Sequence, residues 1–337
     1  MRDTLGLQRS QCHILAGATD NAVDLIGQQM ALGRDQLRLG KSSAAWLVLL
    51  VPVAVCAQDL EPRAYAASPV GVNFALANFT RLSGQVLIDP SLPITDVKAE
   101  IDVQSFGFAR SFGLAGRVAS IGIVVPFIQG NMSGNVFDAP REVDRAGLGD
   151  VRVRFAFNLA GAPALRPQEF VRRSPSTSVG TSLTVVAPTG KYVPAQLINV
   201  GSNRWAFKPE IGMAQPFGKW FAEASAGVWL FGDNTDFFRG QRRSQSPLSV
   251  LQVHVGYHFR PGLWLAADLG RYAGGRTRLD GSWNQDRQEN SRFGLMLSVP
   301  FGTGWSGKMS WSTGMATRAG GDFKAVSVTL QYRWFDR

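Results

Sequence analysis

Val326-Ser327-Val328-Thr329-Leu330-Gln331-Tyr332-Arg333-Trp334 decides the fold. Successive side chains of an extended segment point to opposite sides. Val326, Val328, Leu330, Tyr332 and Trp334 therefore share one greasy face, and Ser327, Thr329, Gln331 and Arg333 share a wet one. Working back to Val70, the same alternation recurs in short stretches, joined in turn by tight turns and longer hydrophilic loops. In lipid every backbone polar group must pair internally, which only helices and closed barrels achieve. The expected fold class is all-β: a transmembrane antiparallel up-and-down β-barrel preceded by a cleaved signal peptide.

Composition agrees. The chain is rich in glycine (37 residues) and aromatics, as tight turns, small inward positions and interfacial girdles require. Charged residues are 18%, below a typical soluble domain, yet no apolar run reaches the length of a membrane helix. A large soluble β-sandwich is the alternative that composition alone leaves open. The formal net charge is +10, but Arg and Lys are scattered without a dense patch. That pattern argues against nucleic acid and suits lipid phosphates or lipopolysaccharide at the loop ends.

The amino-terminal region reads as an export segment. Arg34, Arg38 and Lys41 precede the apolar run Ala44–Ala57, which is too short to span a bilayer and matches a signal-peptide core. Val55-Cys56-Ala57 places small residues for cleavage before Gln58. Residues 1–29 resemble no export segment, so Met30 is the expected start of translation. Residues 58–69 form a periplasmic lead-in and 70–337 the barrel. Cys12 and Cys56 both lie ahead of the cleavage point, so disulfide or thiolate chemistry is not expected in the processed chain.

Twelve strands are expected: Val70–Phe79, Val97–Phe108, Arg117–Ile128, Asp150–Leu159, Thr177–Ala187, Trp205–Gln215, Trp220–Phe231, Leu248–Phe259, Leu263–Tyr272, Ser291–Pro300, Trp305–Thr313 and Phe323–Trp334. Pro216-Phe217-Gly218-Lys219, Arg260-Pro261-Gly262 and Gly302-Thr303-Gly304 mark tight periplasmic turns; the other side carries long polar loops. Gly161–Ser176 is long for its side and is expected to hold a short helix. A long loop rich in Gly, Asn and Asp is expected between the third and fourth strands. Trp205, Trp220, Phe259, Trp264, Phe301, Trp305, Tyr332 and Trp334 sit at strand ends, where aromatic rings favour the lipid boundary.

With the greasy face outward, the lumen set is Lys98, Glu100, Asp102, Arg152, Arg154, Lys208, Glu210, Glu223, His254, His258, Asp268, Arg292 and Arg333. Buried charges need partners, so ladders between neighbouring strands are expected, with Lys208 or Glu210 near Glu223. Phe106, Phe108, Phe221, Trp229 and Tyr272 are candidates for apolar substrate contacts if they face inward. His254 and His258 lie about 13 Å apart along one strand face, too far to share a metal. No metal or other cofactor is expected. Both histidines fall on the inner face and no His-x-Ser is present, so a lipid hydrolase is the weakest reading.

Several stretches carry a resemblance: Asp59-Leu60-Glu61-Pro62-Arg63-Ala64-Tyr65, Gly201-Ser202-Asn203-Arg204-Trp205-Ala206-Phe207-Lys208-Pro209-Glu210, Phe259-Arg260-Pro261-Gly262-Leu263-Trp264, Gly274-Gly275-Arg276-Thr277, Asn290-Ser291-Arg292 and Gln331-Tyr332-Arg333-Trp334-Phe335. The chain resembles the outer-membrane family associated with the meta pathway of phenol degradation. The resemblance implies a barrel in the outer membrane of a Gram-negative bacterium, surrounded by its lipids and lipopolysaccharide and inserted by the outer-membrane assembly machinery. It also implies uptake of small aromatic or otherwise hydrophobic solutes, with no catalytic motif. One departure stands at the end of the chain. Outer-membrane barrels usually finish on an aromatic residue that the assembly machinery reads, but Asp336 and Arg337 follow Phe335. The rival from another class is a structural or adhesion barrel with a closed lumen.

Overall fold

The computed structural model describes residues 60, 62–87, 94–136 and 139–336. The proposed export segment, translation start and both cysteines lie outside the described residues. The elements are β1 (Val72–Leu87), β2 (Ile94–Leu114), β3 (Arg117–Val136), β4 (Ala139–Leu148), β5 (Arg152–Ala160), α1 (Pro167–Val171), β6 (Ser178–Val186), β7 (Ala206–Phe217), β8 (Trp220–Phe231), β9 (Asn234–Phe237), β10 (Gln241–Gln245), β11 (Leu248–Arg260), β12 (Leu263–Gly274), β13 (Thr277–Leu279), β14 (Ser282–Trp283), β15 (Gln288–Pro300), β16 (Trp305–Ala316) and β17 (Gly320–Phe335).

Every pairing is antiparallel, and the sheet closes on itself. Around the ring run β1, β2, β3, the broken strand β4–β5, β6, β7, β8, β11, β12, β15, β16 and β17. β17 then returns to β1 over sixteen residue pairs, from Val72 opposite Phe335 to Leu87 opposite Gly320. β4 and β5 share one ring position because both pair with β3, β4 along Phe127–Val136 and β5 along Ala119–Val124. The ring thus has twelve positions, as the alternation predicts. α1 occupies the expected place between β5 and β6. The short strands β9, β10, β13 and β14 form a second sheet over the loop end.

The exterior is apolar at one height all round. Leu251, Val253 and Val255 on β11, Leu265 and Leu269 on β12, and Val326, Val328 and Leu330 on β17 are exposed. Such a band is stable only in lipid. Its turn-end border carries exposed Trp220, Phe259, Phe301, Trp305 and Tyr332. Trp305 lies 4.8 Å from Tyr332 between centroids, and Tyr332 stacks on Trp334 at 5.7 Å. Trp264 departs from the expected girdle. It is buried, meeting Phe221 edge to face at 6.0 Å. Its parity on β12 points it inward, as for its neighbours Ala266 and Asp268.

The long side of the barrel also departs from expectation. β1, β2, β3 and β4 continue past the lipid band, so the expected loop after the third strand is a hairpin of paired strands. Its glycines have a packing role. A Cβ on Gly130 would lie 3.2 Å from Ile101 Cγ1, and one on Gly134 would lie 3.1 Å from Val97 Cγ2. They make room for inward apolar side chains rather than break the strand.

In this extension the polarity of the wall inverts. On β2, Phe106 and Phe108 face outward in the lipid band, whereas above them Val103, Ile101 and Ala99 face inward. Ala99 and Ile101 pack with Leu82, Val86 and Phe323 in a dry core. Lys98, Glu100 and Asp102 consequently point outward. Glu100 accepts from Arg81 Nη2 at 2.8 Å, with both side chains exposed. The lumen expectation fails for these three residues because their strand segment has water, not lipid, on its outer face. Within the lipid band, Leu76 of β1 also faces inward, seated over Gly107, where a Cβ would lie 3.0 Å from it, and exposed Phe79 faces outward.

The charged ending has a structural role. Asp336 N–H donates to Gly71 O at 2.9 Å, while its carboxylate accepts from Asn73 Nδ2 at 2.9 Å and Arg110 Nη2 at 2.7 Å. Asp336 thereby clips the seam where the last strand meets the first.

Candidate transport lumen

The barrel encloses a cavity of about 550 Å³. Its two walls are built differently. Toward β2 and β3 the inward residues are short or apolar, among them Ser105, Ala109, Ser120, Gly122 and Val124, while β1, β16 and β17 add Asn78, Lys308, Ser310, Ser327 and Gln331. Toward β6, β7, β8, β11 and β12 the lead-in segment fills the space.

Glycines seat that segment. A Cβ on Gly212 of β7 would lie 2.2 Å from Tyr65 Cδ2, and one on Gly180 of β6 would lie 3.0 Å from Tyr65 Cδ1. Leu60 takes the equivalent place over Gly270 and Gly294, where a Cβ would come within 2.9 and 2.8 Å. The buried Tyr65 hydroxyl donates to Glu210 Oε1 at 2.7 Å and lies 2.9 Å from Ser182 Oγ. Ser178 Oγ donates to Tyr65 O at 2.7 Å. Arg63 N–H donates to the Glu223 carboxylate, and its guanidinium meets His258 Nε2 at 2.6 Å.

Most of the expected lumen residues are brought together here. Glu223, His254 and Asp268 are direct cross-strand neighbours on β8, β11 and β12. His254 Nδ1 lies 2.7 Å from Asp268 Oδ1, both deeply buried. Lys208 Nζ meets Glu210 Oε2 at 2.9 Å, and Arg154 Nη2 approaches Glu210 Oε1 at 4.0 Å. The sequence places Lys208 or Glu210 near Glu223; in the structure Glu223 takes the Arg63 backbone and Glu210 takes Tyr65. Arg152 and Arg292 line the cavity, and Arg292 Nη2 donates to Phe323 O at 2.8 Å. His258 lies beside Phe221, with ring centroids 5.0 Å apart. Arg333 sits at the turn end, with its guanidinium 5.5 Å from the Phe335 centroid, away from the cavity lining.

The aromatic candidates divide. Trp229 is buried and lines the cavity. Tyr272 is fully buried in a cluster with Trp229, Leu248 and Val250. Phe221 is buried over Gly256, where a Cβ would lie 2.2 Å from its ring. Phe106 and Phe108 are exposed outside, and Phe108 packs 6.0 Å from Trp334. They belong to the lipid band because their positions on β2 have outward parity.

Sequence reasoning missed Leu60, Arg63 and Tyr65 as lumen residues. The available signal was the set of glycines at inward positions: Gly180, Gly212, Gly270 and Gly294 are holes cut in the wall for side chains from elsewhere. The run Asn203–Glu210 also gains a physical reading. Arg204 is buried above the lumen, 4.6 Å from the Phe231 centroid. Burial lowers its guanidinium from the ordinary value to about 10, against the pull of Asp233 and Asp150. Trp205 stacks on Phe207 outside, while Lys208 and Glu210 turn inward. One run thus supplies loop anchor, girdle and lumen charge.

Among the described residues no group of three or more His, Cys, Asp or Glu side chains is arranged to hold a metal ion. No serine hydroxyl is hydrogen-bonded to His254 among them either.

The fold matches solved outer-membrane proteins. The COG4313 outer membrane channel from Pseudomonas putida F1 superposes with a TM-score of 0.70 at 21% identity, covering 82% of this chain and 100% of that one. The beta domain of the Bordetella autotransporter BrkA gives 0.48 at 14% identity over 78% of this chain and 100% of that one. The CymD monoaromatic hydrocarbon channel gives 0.41 at 8% identity over 80% and 90%. No curated protein matches the chain. The first likeness establishes the barrel fold as that of outer-membrane channels. The model of the family described as "Putative MetA-pathway of phenol degradation" matches residues 81–332, most of the barrel, and the chain belongs to that family.

Proposed function

We propose that this protein is a passive outer-membrane channel admitting small aromatic or hydrophobic molecules for phenol catabolism. The observation that carries this reading is the cavity itself. It holds about 550 Å³ inside a barrel of twelve ring positions, and its wall along β2 and β3 is short or apolar. That volume falls in the range of small-molecule sites. The family's association with phenol degradation supplies the solute class. No step of chemistry is assigned to the chain; its residues bind, orient and let pass.

Cells lacking the protein test this. Their uptake of labelled phenol or toluene at low external concentration is expected to fall and to return on complementation. Unchanged uptake in the deletion strain would count against transport.

A second reading has its own support. Leu60, Arg63 and Tyr65 occupy seats inside the lumen, which suits a closed structural barrel. Planar-bilayer recordings separate the two: a channel gives discrete conductance steps, and a sealed barrel gives none.

A further inference from the structure

Two arginines are buried at the loop end, outside the cavity lining: Arg204, just ahead of β7, and Arg243 on β10. They are 5% and 6% exposed. A guanidinium carries five N–H donors and no acceptor. Arg204 donates from Nη2 to Gln245 Oε1, while its Nη1 is buried without a partner. Arg243 Nε is likewise buried without a partner. Among the described residues neither guanidinium makes an ion pair.

The two groups share one space. Residues two apart on a strand point to the same side. Arg243 and Gln245 therefore occupy one face of β10, about 7 Å apart along it. Arg204 reaches that face through its bond to Gln245. Burial and the Arg204 charge lower the Arg243 guanidinium to about 9. An aromatic ring backs each group, Phe231 at 4.6 Å from Arg204 and Phe237 at 5.5 Å from Arg243. The cross-strand neighbours of Arg243 supply no acceptor: Leu279 is apolar, and Asn234 Oδ1 already accepts from Asn203 and from the Asp236 N–H. The carboxylates that act on the pair from a distance are committed elsewhere. Asp150 accepts from the Gly190 and Ser202 N–H groups, Asp233 from Arg242 and Asp286 from Thr277.

A buried charge without a partner is costly, and a second like charge beside it adds to the cost. An anion touching both guanidiniums would remove it. Deep burial of both side chains favours a small ion over an organic body. We infer that the loop end binds a small inorganic anion of chloride's class between Arg204 and Arg243, tying β10 to the chain ahead of β7. The site stands whether or not the lumen conducts.

Crystals of the purified protein grown in sodium bromide test it through anomalous scattering. A bromide peak in contact with both guanidiniums is the expected result. Bromide on exposed side chains alone, an adventitious ion only, overturns the inference, as does water between the two arginines. Hydrogen exchange of the β9, β10 and β13 amides gives a second readout, in a chloride series against gluconate at equal ionic strength. Exchange should slow about tenfold once chloride reaches about ten times its dissociation constant. Arg243→Gln should abolish the difference between the salts. The comparison in the unaltered protein does not depend on that variant folding. Equal exchange throughout the series overturns the inference.

Discussion

The lower and upper halves of β2 obey opposite rules. In the lower half Phe106 and Phe108 face out and Gly107 and Ser105 face in. In the upper half Lys98, Glu100 and Asp102 face out, while Ala99 and Ile101 are buried inside. The strand does not change; its surroundings do. Lipid rewards an apolar exterior, whereas water on the outer face drives apolar residues inward to a core. Strict alternation fixes which residues share a face, and the solvent at that height decides which face is greasy.

Substitutions probe this contrast, each read by urea unfolding of vesicle-inserted protein unless stated. Ile101→Ala should cost most, about 2–5 kcal/mol, because it empties a packed core position beside Leu82 and Phe323. A cost near zero would mean that the extension has no real core. Val328→Arg, at an exposed position in the lipid band, should cost about 2–4 kcal/mol near the bilayer centre. The reverse ordering of face tolerance, with Thr329→Arg worse than Val328→Arg, would break the assignment of inside and outside.

Gly212→Ala sharpens a related contrast between the filled and open walls. Its Cβ would collide with the Tyr65 ring, so the lead-in segment should lose about 1–3 kcal/mol of docking energy. Raised open-channel conductance in planar bilayers is the expected sign. Gly122→Ala on the open wall, with ordinary clearance, should leave conductance and stability alike within error. Smallest of all is Arg81→Ala. Its pair with Glu100 is exposed on both sides and should contribute less than about 1 kcal/mol.

Much of the architecture was legible because a closed barrel repeats one pattern. Twelve ring positions, the tight turns at Gly218 and Gly262, and the short helix at Pro167–Val171 follow from alternation and turn chemistry. Three features were hidden. The hairpin of β3 and β4 read as loop because Gly130 and Gly134 are turn signals in isolation and seats only in context. Lys98, Glu100 and Asp102 read as inward because alternation carries no information on height. The lead-in was unreadable as lumen filler, since its partners Glu210, Glu223 and His258 lie more than a hundred residues away along the chain. The lumen set on β5, β7, β8, β11, β12 and β15 was accessible because those strand segments lie within the lipid band. There, a charged residue on a strand has nowhere else to point.

The central claim is that small aromatic solutes cross through the cavity, which Gly122 of β3 lines. Cells lacking the protein, complemented with either the unaltered chain or Gly122→Trp, measure it directly through initial uptake of labelled phenol and toluene. Heat-modifiability of both proteins in membrane fractions checks that each barrel is folded. Restored uptake with the unaltered chain and little with the obstructed one is the predicted result. Equal restoration by both would place the route elsewhere and contradict the account.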